Sequence, residues 1–132
     1  MTHFRVIDCE TDNLAYDCTK IHVLSWTDDG QEYCSTADPS MMRMVLTKKD
    51  TMLVCHNAVR FDMVVFNRLL GLDLNYKNFV DTLGFSWYLY PQRNKHGLES
   101  WGDDLGVPKP VVKDWKGLTQ EETRIIDYYE SR

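Results

Sequence analysis

No apolar run in this 132-residue chain is long enough to cross a bilayer. The longest, such as Met52 to Cys55 and Met63 to Phe66, fall far short of the roughly 20 residues a spanning helix needs. A secretory leader is not signalled either, because Met1-Thr2-His3-Phe4-Arg5 leads directly into a strand-like segment. These absences predict a cytoplasmic protein with no membrane partner. There is no linker rich in Pro, Gly or Ser, so residues 1–132 read as one domain, long enough to bury a single core. Cys9, Cys18, Cys34 and Cys55 form no C-x-x-C pair, which argues against a zinc knuckle or a thioredoxin-like site and for reduced structural thiols. A surplus of basic charge is missing too. With a net charge of -5, the chain lacks the broad basic surface by which many proteins hold phosphate backbones, so an action on nucleic acid would need the help of metal ions.

What is present is an alternation of strand and helix patterns. Phe4 to Asp8 and Ile21 to Trp26 are rich in β-branched and aromatic residues, and Gln31 to Thr36 pairs with the second across Asp28-Asp29-Gly30. Asp38-Pro39 reads as a cap followed by Pro at the first helical position, with a helix to about Lys48. Thr51 to Cys55 has the continuous apolar character of a strand covered on both faces. A helical period then runs from Arg60 to Leu70, with Gly71 as its stop. Asn78 to Val80 predicts another strand, and helices follow from Asp81 to about Leu89 and from Gly97 to Leu105. Thr119 and Glu122 fit a capping box ahead of a last helix whose stripe is Ile125, Ile126 and Tyr129. The expected class is α/β, with a mixed sheet flanked by helices.

Carboxylates recur where these strands end. Asp8 and Glu10, two apart on a strand, share a face. Asp62 opens the helix after the buried strand, and Asp81 stands at the end of the next strand, ahead of Thr82. Taken singly, Asp8 and Glu10 read as exposed loop acids, and Asp62 and Asp81 as helix-start residues favoured by the dipole. Taken together they converge on the crevice at the strand ends, the usual ligand site of open α/β folds. His56 reads as a hydrogen-bonded core residue, and His96 fits either a core or a ligand role. Of the aromatics, Phe61, Trp87, Tyr88 and Trp101 could stack on bases, although the plainer expectation is that most are core. Arg60, Arg93 and Lys95 could meet phosphates, but such charges usually form a solvated face.

Asp8-Cys9-Glu10-Thr11, then Asn57-x-x-x-Phe61-Asp62, then Asp81-Thr82 resemble the motifs of the DEDD superfamily of 3′-to-5′ exonucleases. The similarity is nearest to the N-terminal proofreading domains of phage-type family A DNA polymerases. The stretch from His96 to Gly106 is similar to a helix those domains carry. The resemblance covers nearly the whole chain, from Phe4 to Tyr129, and implies a ribonuclease-H-like fold that hydrolyses the terminal phosphodiester of DNA with two divalent cations, Mg²⁺ or Mn²⁺. Carried over, Asp8 bridges both metals, Glu10 holds the first and orients the attacking water, and Asp62 holds the second through water. Tyr129 completes the catalytic set. Thr11, Leu14, Asn57, Phe61 and Asp81 flank the position of the terminal nucleotide. The implied partners are a single-stranded DNA 3′ end and a DNA polymerase domain or subunit, in a bacterial or phage-infected cell.

One departure stands out. The third motif of the family is a Tyr or His four residues before an Asp, on one helix face. Counting from Tyr129, that Asp would fall one residue past Arg132; counting from Tyr128, the position holds Arg132 itself. Asp127 lies on another side of the helix. The expectation is a domain cut short before the end of its third motif, a chain completed by another, or an exonuclease fold without activity that binds a DNA end or a polymerase.

Overall fold

A computed structural model gives the architecture, and the described residues are 2–107. The last expected helix, with Tyr129 and the third motif, lies outside them. Five strands form one sheet in the order β3-β2-β1-β4-β5: β1 is His3–Thr11, β2 Ile21–Thr27, β3 Cys34–Thr36, β4 Thr51–Cys55 and β5 Phe79–Asp81. The first three pair antiparallel, whereas β4 runs parallel to both β1 and β5, so the sheet is mixed, as expected.

Two strand limits differ from the sequence reading. β1 does not end at Asp8: it stays paired with β2 as far as Thr11 opposite Ile21, with an irregularity between Glu10 and Thr11. Its parallel pairing with β4 ends earlier, at Val6 opposite Val54. Asp8 and Glu10 therefore sit on a strand extension that has lost one neighbour, and the sequence pattern alone does not reveal the surviving one. β3 begins at Cys34 rather than Gln31, because the Asp29 carboxylate accepts from the backbone N–H groups of Gln31 and Glu32 and prolongs the turn.

Four helices are present among the described residues: α1 Pro39–Leu46, α2 Met63–Leu70, α3 Thr82–Leu89 and α4 Leu98–Leu105. Asp38 caps α1 by accepting from the Ser40 N–H at 3.0 Å, and the helix buries Met42, Val45 and Leu46. α2 packs Val65, Phe66 and Leu70 into the same core against Ile7, Leu24 and Leu53 of the sheet, and Gly71, at φ +67°, ends it. Arg43 of α1 reaches the Leu70 carbonyl at 2.8 Å and ties the two helices together. α3 is apolar on every side and buries only Ser86, leaving Trp87 and Tyr88 exposed, against the expectation of core aromatics. A helix without a polar face can turn only one side to the sheet, so the other rings face out. No described helix is long and apolar enough to cross a membrane.

Candidate active site

Three strands run parallel through β1, β4 and β5, and the acidic residues gather where they end. On β1 the alternation buries Ile7 and Cys9 on one face and leaves Asp8 and Glu10, partly buried, on the other. Cys55, the last residue of β4, pairs with Asp81, the last residue of β5. Chain direction alone thus brings Asp8, Cys55 and Asp81 to one edge of the sheet.

The connection after β4 delivers the next carboxylate. Asn57 adopts a left-handed conformation, with φ +66°, and Ala58–Asp62 forms one wide π-type turn before α2 begins. Such turns interrupt regular helices often at functional sites. The expected helix from Arg60 therefore starts regularly only at Met63, since the wide turn absorbs an extra residue and swings Asp62 inward. Its carboxyl is 4% exposed and lies 3.5 Å from the Cys9 thiol. Burial first, and then the charge of Asp8, push Asp62 up to about 7. Cys55 is driven strongly upward by burial and then by Asp62, Asp81 and Asp8, so it remains a neutral thiol amid three carboxylates.

Asp81 has a different surrounding. Its carboxylate accepts from the backbone N–H groups of Asn57 at 2.9 Å, Val59 at 3.3 Å and Leu83 at 3.0 Å. It both caps α3 and pins the left-handed loop that carries Asp62 into position. Thr11 donates its hydroxyl to the Asn13 carbonyl at 2.7 Å, and Leu14 projects at 70% exposure from the following loop. That loop is anchored twice: Thr19 donates to Asp12, and Arg68 of α2 reaches the Ala15 carbonyl at 2.6 Å. Phe61 is half-buried and packs on the core.

Sequence reasoning did not single out the Cys9 and Cys55 thiols as partners of Asp62. The available signal was position, one between Asp8 and Glu10 and the other at the end of a buried strand. A second polar cluster also went unread. His56 hydrogen-bonds Thr82 Oγ1 at 2.9 Å and the His96 carbonyl at 2.8 Å, consistent with a bonded core histidine. His96 is 4% exposed, pairs with Ser86 at 2.6 Å and stacks on Trp87, while Trp101 donates to the same Ser86 oxygen. His56, His96 and Trp101 stand out singly in the sequence, but Ser86, which joins two of them, shows there only as a lone Ser inside an apolar helix. Arg93 lies over Trp101 and meets Asp104 at 2.6 Å, so its charge is already engaged.

The donor set suits a hard divalent cation: Asp8, Glu10 and Asp62 offer only carboxylate oxygen, and the charge of Asp8 acts on buried Asp62. Among the described residues, no three His, Cys, Asp or Glu side chains are grouped closely enough to hold an ion, so a bound cation would have to draw these carboxylates together.

No protein-family model matches the chain, and no curated protein does. Its likeness is to solved structures. Brucella melitensis NrnC with bound Mg²⁺ superposes with a TM-score of 0.72 at 18% identity, over 99% of this chain and 66% of that one. The same protein bound to pGG gives 0.74 at 16% identity, over 98% and 68%. Escherichia coli RNase D, an exoribonuclease involved in structured RNA processing, gives 0.65 at 17% identity, over 97% of this chain but 36% of its own. The chain thus spans about two thirds of NrnC and little more than a third of RNase D. At these identities the likeness establishes the fold, a ribonuclease-H-like α/β sheet flanked by helices.

Proposed function

We propose that this protein is, or is part of, a metal-dependent 3′-to-5′ exonuclease that hydrolyses the terminal phosphodiester of a single strand, with DNA as its substrate. The observation that carries the reading is Asp62: a buried carboxyl pushed up to about 7, next to Asp8, on the edge where the motif acids gather. Structural ion pairs lower carboxyl values, whereas a site built for a cation leaves its carboxylates short of positive charge until the ion arrives. The likeness in fold to RNase D, an exoribonuclease, and to NrnC with bound Mg²⁺ supports a metal-dependent nuclease. DNA as substrate rests on the resemblance of the three motifs to proofreading domains.

Asp8, Glu10 and Asp62 would hold two Mg²⁺ or Mn²⁺ ions, which when bound stabilise the attacking and leaving oxygens of an in-line displacement. The protein's own part is orientation. Glu10, on the same face as Asp8, accepts a hydrogen bond from the attacking water and fixes its approach, and Tyr129 assists it. Thr11, Leu14, Asn57 and Phe61 would flank the terminal nucleotide, with Leu14 on its anchored loop. Asp81 supports these groups by holding the loop from Asn57 to Val59.

End-labelled single-stranded DNA incubated with Mn²⁺ tests the reading. Mononucleotides should be released stepwise from the 3′ end, and Asp8→Ala should stop the release. Activity unchanged in Asp8→Ala would sink the assignment. The likeness to NrnC bound to pGG favours one second reading, a preference for very short strands. Competing pGG against the longer DNA in the same assay separates the two. Folded protein that binds the DNA end without cleaving it would instead identify a non-catalytic end-binding or polymerase-binding domain.

A further inference from the structure

We infer that the exposed rings of α3 form a stacking platform for the bases of a single strand upstream of its 3′ end, with Trp87 held ready by buried His96; that the strand ends nearby rests on the exonuclease reading above. α3 carries no charged side chain, yet Phe85, Trp87 and Tyr88 stand 50%, 56% and 82% exposed on it. Contiguous apolar area of this kind marks an interaction site. Trp87 is fixed in advance. Its ring stacks on the His96 imidazole, with centroids 3.8 Å apart and 22° between the planes. His96, itself 4% exposed, is held by Ser86 at 2.6 Å, and the same Ser86 oxygen accepts from Trp101 Nε1 at 2.7 Å. The buried cluster, which the hydrolytic chemistry does not use, thus backs one side of the indole while the residue stays more than half exposed. A base that stacks on a ring already held costs little ordering entropy. Phe85 and Gly84 lie three and four residues before Tyr88 and share its side of the helix. Among the described residues, a Cβ at Gly84 would meet nothing within 4 Å, which leaves room for a flat ring beside Tyr88.

Charge and place together point to nucleic acid as the occupant. Residues 82–98 are the longest stretch of the chain without Asp or Glu, in a molecule of net charge -5, and they include Arg93 and Lys95. The rings therefore sit where a polyanion meets the least repulsion. Arg93 is already paired with Asp104 at 2.6 Å, so Lys95 is the exposed cation of this stretch. With so little positive charge, and with Glu99 and Asp103 following on α4, a strand is held through its bases more than its phosphates, and its binding should depend only weakly on salt. The platform also starts in the right place. α3 begins directly after Asp81, whose carboxylate holds the loop from Asn57 to Val59 at the strand-end edge. At about 1.5 Å per residue, Trp87 and Tyr88 lie roughly 8 to 9 Å along the helix from that edge, about the height of two to three stacked bases.

Binding is measured in a chelator, which stops metal-dependent cleavage, by the fluorescence anisotropy of a labelled oligo(dT) about eight nucleotides long. Trp87→Ala and Tyr88→Ala, at exposed positions and checked as folded by far-ultraviolet circular dichroism, should each weaken binding about tenfold. Tyr76→Ala, an equally exposed ring on the turn before β5, should leave it unchanged. The strand should quench tryptophan emission, and the quenching should shrink in Trp87→Phe. Raising salt from about 50 to 200 mM should cost less than about tenfold, far below the loss of a strand held by many phosphates. No binding, or equal affinity in both folded variants and the intact chain, would overturn the platform. So would a loss in Tyr76→Ala as large as in the other two. Self-association of the chain, seen by sedimentation velocity and abolished by Trp87→Ala without any change in oligo(dT) affinity, would make the face a protein interface instead. The nuclease reading fails separately: cleavage that survives Asp8→Ala sinks it, whereas ring-dependent binding in the chelator stands or falls without it.

Discussion

Two buried ionisable groups lie near opposite ends of β1, and the protein treats them in opposite ways. Arg5, near the start of β1, is 5% exposed and fully engaged: its guanidinium donates to Asp28 at 2.7 and 3.1 Å and to the Val45 carbonyl at 2.7 Å, while His3 adds a contact to Asp28 at 3.0 Å. Asp28 is held down to about 2 by its hydrogen bonds to Arg5. At the other end of β1, Asp62 is 4% exposed, accepts from the weakly donating Cys9 thiol and is pushed up to about 7. One end of the strand satisfies its buried charge and the other leaves it wanting. A structural ion pair tolerates no deficit, because a lone buried charge costs several kcal/mol; a binding site carries the deficit until its ligand removes it.

The sharpest break in that comparison is expected in function. If the proposed reading holds, Asp62→Asn should reduce turnover of single-stranded DNA with Mn²⁺ at least about a hundredfold, by removing a carboxylate proposed to hold the ion. Asp28→Asn, at the opposite end of β1, should leave turnover per folded molecule unchanged. A single-turnover assay on folded protein checks both, and equal losses would mean the two ends are not functionally distinct. Stability should show the reverse. Asp28→Asn leaves Arg5 buried and short of its counter-ion and should destabilise by about 3 kcal/mol, at the lower end for a broken buried pair because Asp28 is itself 38% exposed. Asp62→Asn removes a charge that burial disfavours and should stabilise the metal-free protein by about 1 to 2 kcal/mol. Urea unfolding in a chelator measures both; a destabilised Asp62→Asn would show the carboxylate to be structural.

How far this contrast was legible in the sequence depends on the kind of information. The alternation of Arg5, Ile7 and Cys9 with Asp8 and Glu10 follows from period-two patterning, and the caps at Asp38 and Gly71 from local chemistry. Element order followed from these. The extension of β1 to Thr11 was hidden, because it depends on which neighbour persists: β2 continues beside it after β4 has stopped. The wide turn before Asp62 was hidden for a related reason, since Ala58 to Asp62 has an ordinary helical pattern and the extra residue shows only in the backbone. Arg5 illustrates the limit most plainly. In the sequence it is one charged residue in a strand, and its partners lie 23 and 40 residues away.

The opposed shifts also predict a pH profile. Asp28 has a folded value below its ordinary 3.8, so its contribution is complete above about pH 4 and is lost as pH falls toward 2. Asp62 has a folded value above 3.8, so the folded state binds the extra proton between about pH 4 and 7, and stability falls as pH rises through that window. The metal-free protein should therefore have its highest melting temperature near pH 4 to 5, and Asp62→Asn should flatten the decline toward neutrality. A decline of equal slope in Asp62→Asn would assign it to other groups.

The smallest effect expected is that of the cation on the fold itself. A ligand that binds only the native state stabilises it by RT ln(1 + [L]/Kd), so the gain depends on affinity, and among the described residues no carboxylate set is grouped closely enough to hold an ion tightly. At about 10 mM Mg²⁺, roughly ten times an assumed Kd near 1 mM, the gain is about 1.4 kcal/mol, a rise of a few degrees in Tm for a chain of this size. The rise should grow with pH between about 5 and 8, because Asp62 must lose its proton to hold an ion and is half-protonated near 7. It should vanish in an Asp8→Ala, Glu10→Ala double variant and persist in Asp28→Asn, whose lesion lies at the far end of β1. A rise that survives the double variant would place the ion elsewhere on the surface, and one independent of pH would separate it from Asp62.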